Sequence, residues 1–206
     1  MQLELPAGES IILSTHAAFR ASPQPATASG EAVVLEGPWT IQFDAGGPTL
    51  PAGRTLERLS SWTTLAGDDV KAFSGTATYS TRFPLPGEAA DRWRFDLGQV
   101  HESAHVRLNG LDLETLIGPR FRLEIPSGRL RESNLLEVSV TNLMANRIAA
   151  LDRAGVSWKT FYNVNFPARL PENRGPDGLF TAARWEPRPS GLLGPVVLAP
   201  LPSRRP

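Results

Sequence analysis

The stretch AHVRLNGLDL, Ala104 to Leu113, alternates apolar and polar residues on either side of Asn109-Gly110. Both central positions of a type I′ turn need positive φ, which Asn and Gly adopt at least cost, so the stretch predicts two antiparallel strands joined by a tight hairpin. Asn109 is then a turn residue and not a ligand. The same period-two pattern recurs outward in SIILS (Ser10 to Ser14), PWTIQF (Pro38 to Phe43), TATYSTRF (Thr76 to Phe83), RWRFDL (Arg92 to Leu97), FRLEI (Phe121 to Ile125), LLEVSVTN (Leu135 to Asn142) and PVVLAP (Pro195 to Pro200). In TATYSTRF, Ala77, Tyr79 and Thr81 share one face, and Thr78, Ser80 and Arg82 the other. Short strands of this kind, punctuated by 18 glycines and 19 prolines, predict an all-β chain folded as two packed antiparallel sheets. Trp39, Trp62 and Trp93 lie in or near these patterns and are expected in the core or on a sheet face.

Composition narrows the function classes. With 206 residues, 41% of them hydrophobic, the chain can build one large core. The 21 basic and 21 acidic side chains cancel and form no long run, so neither a nucleic-acid footprint nor a polybasic membrane patch is present. The chain has no cysteine, which excludes disulfides, thiolate metal sites and cysteine nucleophiles. No apolar run reaches the length of a bilayer-spanning helix, and the N-terminus has no signal-peptide pattern.

Three segments depart from the strand rhythm. Residues 1–29 pair a strand-like opening with the Pro/Ala/Ser stretch ASPQPATASG, and are expected to be the tail of a preceding β-module plus a linker, or a docked extension. The sandwich is expected over 30–206. From Leu143 to Gly155, LMANRIAALDRAG places Leu143, Ile148 and Leu151 at helical spacing before a glycine, predicting a short helix with a glycine cap. The chain then runs irregularly to Gly194, and a connection this long in a compact domain is usually a functional or packing loop. At its end, Pro187 and Pro189 hold the approach extended, Gly191 and Gly194 turn the chain, and Val196 to Leu198 form the closing strand.

The ordered set FSGTATYSTRFPLP, DLGQVHESAHVRLNG, IGPRFRLEI, NLLEVSVTNLMANRI and SGLLGPVVL, with the earlier PWTIQF and SSWTTL, resembles the jelly-roll, galactose-binding-like domain of glycoside hydrolase family 2. It is more closely similar to the C-terminal domain of family 106 α-L-rhamnosidases. The resemblance runs from about Leu35 to Leu201 and implies a galactose-binding-domain-like β-sandwich. It also implies a non-catalytic accessory role beside a neighbouring catalytic barrel, a sugar ligand, and a bacterial periplasmic or secreted setting. Two alternatives stand beside it: a purely structural interdomain module without ligand, and a small stand-alone glycoside hydrolase. The acid and base carboxylates of such hydrolases sit on a (β/α)8 barrel, for which this chain has neither length nor strand–helix alternation.

Within this sequence, sugar binding has the best local support. A pyranose presents an apolar face fringed by hydroxyls, so its site combines an aromatic platform with a few fixed polar groups. The long loop supplies Trp158, Tyr162, Asn163, Asn165, Trp185, Glu186 and Arg188. Trp158, Tyr162 and Trp185 fit a ligand platform and core packing about equally, whereas Phe161 and Phe166 are expected to fold back and plug the sandwich. Structural calcium has weak candidate ligands in Glu172, Asn173 and Asp177, and in Asp68-Asp69, without the dense carboxylate spacing of an EF-hand. No other cofactor is expected. Loop carboxylates such as Glu102, Asp112, Glu114, Asp152, Glu172, Asp177 and Glu186 are expected to be solvated or salt-bridged. His101 and His105 flank a strand start, on one side of an extended chain, and do not present a metal pair as H-E-x-x-H does on a helix.

Overall fold

The computed structural model describes residues 30–87 and 90–202; the expected SIILS strand and the 1–29 extension lie outside them. The chain forms β1 (Val33–Val34), β2 (Trp39–Gly47), β3 (Arg54–Leu56), the short helix α1 (Asp68–Lys71), β4 (Ser74–Pro84), β5 (Arg92–Asp96), β6 (Gln99–His101), β7 (Ser103–Leu108), β8 (Leu111–Ile117), β9 (Arg122–Pro126), β10 (Ser133–Thr141), α2 (Ala145–Arg153), β11 (Gly191–Gly194) and β12 (Val197–Leu201). A six-stranded sheet runs β3-β2-β4-β10-β7-β8, a four-stranded sheet runs β1-β12-β5-β9, and β11 pairs with β6 in a small third sheet. Every pairing between these strands is antiparallel. The all-β sandwich expected from the alternation is therefore the fold.

The alternation works as period-two geometry requires. In β4, Ala77, Tyr79, Thr81 and Phe83 are buried while Thr78, Ser80 and Arg82 face outward. Facing them across the sandwich are Trp93 and Phe95 of β5, Leu123 and Ile125 of β9, and Leu198 of β12, all in one buried cluster with Trp39, Ile41, Val106, Leu136 and Val138. The expectation for the three tryptophans holds: Trp39 and Trp62 are 0% exposed and Trp93 2%. The predicted turn is also found, with Asn109 at φ 54° and Gly110 at φ 80°. The Asn109 side chain adds a second role: its Oδ1 accepts Leu135 N–H and its Nδ2 donates to Asn134 Oδ1, tying the β7–β8 turn to the start of β10.

Two expectations are corrected. Gly191 to Gly194 do more than turn the chain: they form β11, against β6, and the closing strand is Val197–Leu201. Gly191, at φ 95°, lies where a Cβ would sit 2.3 Å from Tyr79 Oη and 2.4 Å from Trp62 Nε1, so only glycine lets the backbone meet these two groups. Leu192 N–H donates to the Tyr79 hydroxyl at 3.1 Å, and the Trp62 indole N–H donates to it at 2.5 Å, fastening β11 to the core. The second correction concerns His101 and His105. The chain leaves β6 at Glu102 and enters a different sheet as β7, so the histidines share no face of one strand. His105 instead meets Asp112 and Thr115 of β8, each at 3.0 Å.

Candidate functional site

The long loop between α2 and β11 is pinned to the sandwich by buried polar side chains. Asn142 Oδ1 accepts Gly75 N–H and its Nδ2 donates to Phe73 O and Ser190 Oγ. Asn146, on the inner side of α2, accepts Arg188 N–H at 2.8 Å and donates to Arg188 O at 2.7 Å. Ser190 N–H reaches Ser61 Oγ at 3.0 Å. Buried amides need partners, and those of Asn142 and Asn146 find them in Gly75 of β4, the Phe73 carbonyl, the Arg188 backbone and Ser190 Oγ. The predicted helix is therefore present, with Gly155 at φ 65° beyond its end, but its buried side chains are Asn146 and Ala149. Leu143 and Met144 are exposed.

Asp152, near the end of α2, organises the loop. Its Oδ1 accepts Trp158 Nε1–H at 2.6 Å and Lys159 Nζ at 2.7 Å, and its Oδ2 accepts Ala182 N–H at 2.7 Å. The Asp152 side chain is 3% exposed and that of Lys159 14%. Burial acts most strongly on this carboxyl and pushes its pKa up, but the Lys159 hydrogen bond, the Ala182 and Trp158 N–H groups and the Lys159 charge together hold it below the usual carboxylate range. The ammonium of Lys159 also lies 5.2 Å from the Trp158 ring centroid, 5.8 Å from that of Phe180 and 6.0 Å from that of Tyr162, within cation–π range.

These groups wall a concavity of about 510 Å³ whose lining includes Asp152, Trp158, Lys159, Tyr162, Asp177 and Arg184. It has aromatic surface from Trp158 and Tyr162 and a polar rim from Ser157, Asp177, Thr181 and Arg184. Beneath it Phe180 packs with Ala149, Ala168 and Ala182 in a small cluster separate from the main core. Trp185 meets Phe180 edge-on at 5.8 Å.

The sequence-predicted residues divide into four groups. Trp158 and Tyr162 share the concavity. Trp185 lines a different groove, of about 400 Å³, between α1 and α2 with Asp68, Lys71, Arg153 and Pro187; its indole N–H is spent on Asn173 at 2.8 Å. Asn163 and Asn165 serve the loop itself. Asn163, at φ 58°, bonds Phe180 N–H and Gly178 O, and Asn165 caps the turn Phe166–Arg169 through Ala168 N–H. Glu186 and Arg188 are exposed. The expectation that Phe161 and Phe166 plug the sandwich is overturned: they are 74% and 73% exposed. The left-handed Asn163 and the Asn165 cap reverse the chain between them, and Phe180 takes the buried place.

Lys159 and Arg184 were missed as lining residues. The run Trp158-Lys159-Thr160-Phe161-Tyr162, a cation among aromatic rings, is the signal that could have found the first.

Of the weak calcium ligands, Asn173 is buried, with Nδ2 on Pro167 O, and Asp177 accepts Leu179 N–H in its own turn. Among the described residues, no three His, Asp or Glu side chains form a metal-holding group. The carboxylates with displaced pKa among the described residues, Asp112 and Asp152, are both displaced downward. At Asp112 the His105 hydrogen bond is the first cause, followed by an opposing burial contribution and the charges of Arg107 and His105.

No protein-family model matches the sequence. Over 184 residues the chain is 32% identical to a putative beta-glucuronidase of Formosa agariphila, a match covering 81% of this chain and 15% of that protein. Its fold superimposes on a rhamnosidase from Novosphingobium sp. PP1Y with a TM-score of 0.64 and 31% identity, over 90% of this chain and 16% of the rhamnosidase. A β-glucuronidase from Ruminococcus gnavus matches with a TM-score of 0.52 and 21% identity, over 84% of this chain and 30% of that one, which is a likeness of fold alone. The proteins this chain resembles in sequence are glycoside hydrolases, and it spans 15–16% of their length.

Proposed function

We propose that residues 30–206 form a non-catalytic accessory β-sandwich of a larger, α-L-rhamnosidase-like glycoside hydrolase. In this reading it sits beside the catalytic barrel and holds a saccharide of a plant or microbial polysaccharide in the Trp158–Tyr162 concavity. Residues 1–29 are then the tail of the preceding module and its linker. The observation that carries the accessory role is the 31% identity along 90% of this chain to a segment that makes up only 16% of a rhamnosidase. The concavity supports the ligand by its chemistry: aromatic faces suit the apolar side of a pyranose, and Ser157, Asp177, Thr181 and Arg184 suit its hydroxyls. Trp185, which lines the groove between α1 and α2, and the exposed Glu186 and Arg188 do not line this concavity.

Calorimetric titration with rhamnose, galactose and rhamnogalacturonan oligosaccharides tests the site. Saturable binding that weakens at least tenfold in Tyr162→Ala is expected; equal heats for the two proteins overturn it. Turnover of an aryl rhamnoside by the chain alone, lost in Glu186→Gln, refutes the non-catalytic role.

The purely structural alternative has one observation in its favour: Asn163, Asn165 and Asn173 give their amides to the loop's own backbone and to Trp185, leaving few polar groups for a ligand. It is favoured if no saccharide binds while the fold is intact.

A further inference from the structure

Phe161, Val164, Phe166 and Leu170 fall within one short segment and are 74%, 75%, 73% and 44% exposed. With about 150–250 Å² per aromatic side chain, their exposed apolar areas sum to on the order of 400 Å² within ten residues of chain. This exposure is built and not slack. Asn163 fastens the segment to Phe180 and Gly178, Asn165 caps Phe166–Arg169, and Asn173 and Arg174 hold Pro167 O and Ala168 O. Apolar side chains held in water in this way forgo the free energy of burial unless something covers them.

We propose that this face, Phe161, Val164, Phe166 and Leu170 with Arg169, docks on the remainder of the hydrolase polypeptide, against an apolar surface carrying a carboxylate. The inference rests on the accessory reading and supplies its contact surface. Two observations select this occupant. The sequence relatives devote 15–16% of their length to the matching segment, so most of such a protein lies outside it and is available as a partner. Arg169 lies 5.3 Å from the Phe166 ring centroid as the charged residue within 161–170, and an arginine beside an apolar anchor matches a carboxylate across an interface. The docking face is distinct from the saccharide concavity, since none of its residues lines it.

The test expresses the reading frame that encodes the chain, whole and with these 206 residues deleted. The chain is then mixed with the deleted protein and followed by sedimentation velocity and calorimetry. A one-to-one complex is expected, weakened at least tenfold by Phe161→Ser with Phe166→Ser and again by Arg169→Glu, with melting temperature and saccharide titration unchanged. Hydrogen exchange on the whole polypeptide serves if the deleted protein does not fold: amides of 160–170 are expected to exchange at least tenfold more slowly than in the isolated chain.

Equal affinities, equal exchange rates, or self-association of the chain through these residues overturn the docking face. A frame that ends with this chain removes the accessory reading and the docking face together. Loss of saccharide binding with docking intact counts only against the concavity.

Discussion

Asp152 is the residue on which the loop depends. It receives three hydrogen bonds and shares a mostly buried ion pair with Lys159, and removing one member of such a pair strands the other charge. Asp152→Ala is expected to lower stability by about 3 kcal/mol and to abolish any saccharide binding, as chemical denaturation and titration of the variant will show. Its pKa is depressed in the fold, so its contribution is fully present above the unfolded value of 3.8 and is lost as pH falls below it; acid melts of wild type and Asp152→Asn should converge there. Tyr79 behaves in the reverse sense. Burial, outweighing the hydrogen bonds from Leu192 and Trp62, raises its pKa to about 12. Its contribution is therefore complete below the unfolded value of 10.0 and is lost as pH rises from there toward about 12. A tyrosinate absorbance transition that coincides with alkaline unfolding is expected. Neither site could be recognised in advance: Asp152 is one carboxylate among 21 acidic residues, and Tyr79 is an ordinary inward strand residue until β11 arrives above it.

At the scale of elements, β11 shows how a glycine-rich motif becomes structure. The positive φ of Gly191 and the 2.3 Å that a Cβ would leave to Tyr79 Oη predict that Gly191→Ala costs about 3 kcal/mol or more, from backbone strain and overpacking together. Urea unfolding measures this, and a cost below 1 kcal/mol refutes the packing account. The β7–β8 turn carries a smaller load: Asn109→Ala removes a residue suited to φ 54° and its three side-chain bonds, for an expected loss of about 2 kcal/mol. Strands were legible because alternation is a local signal that the sheet then obeys, as in β4, β7 and β10. α2 was legible from its spacing and terminal glycine, but its inner side was not, because the loop's backbone, and not a core, is what Asn146 faces.

At the scale of the whole molecule, two apolar clusters among the described residues divide the labour: the sandwich core, and the small group of Ala149, Ala168, Phe180 and Ala182 under the loop. Amides near Phe180 are therefore expected to exchange through a partial opening at lower free energy than those of β4 and β10, which native-state hydrogen exchange resolves; identical protection in both regions refutes the division. The sequence by itself determined the all-β class, the antiparallel pairing around Asn109-Gly110, the buried tryptophans and the place of the irregular loop. Each of these follows from periodicity and turn chemistry within a few residues. Tertiary structure alone decided which loop residues converge. It joined Trp158, Lys159 and Tyr162 to Asp177 and Arg184, sent Trp185 to a separate groove, exposed Phe161 and Phe166, and buried Phe180. Those outcomes depend on side chains reaching partners well outside any local window, as Asn163 reaches Phe180, Asp152 reaches Ala182 and Asn146 reaches Arg188, and no local pattern records such a contact. The same holds for RWEPRPSGLLGPV, Arg184 to Val196: its glycines mark a turn, but only the Tyr79 hydroxyl and Trp62 indole against Gly191 make that glycine obligatory.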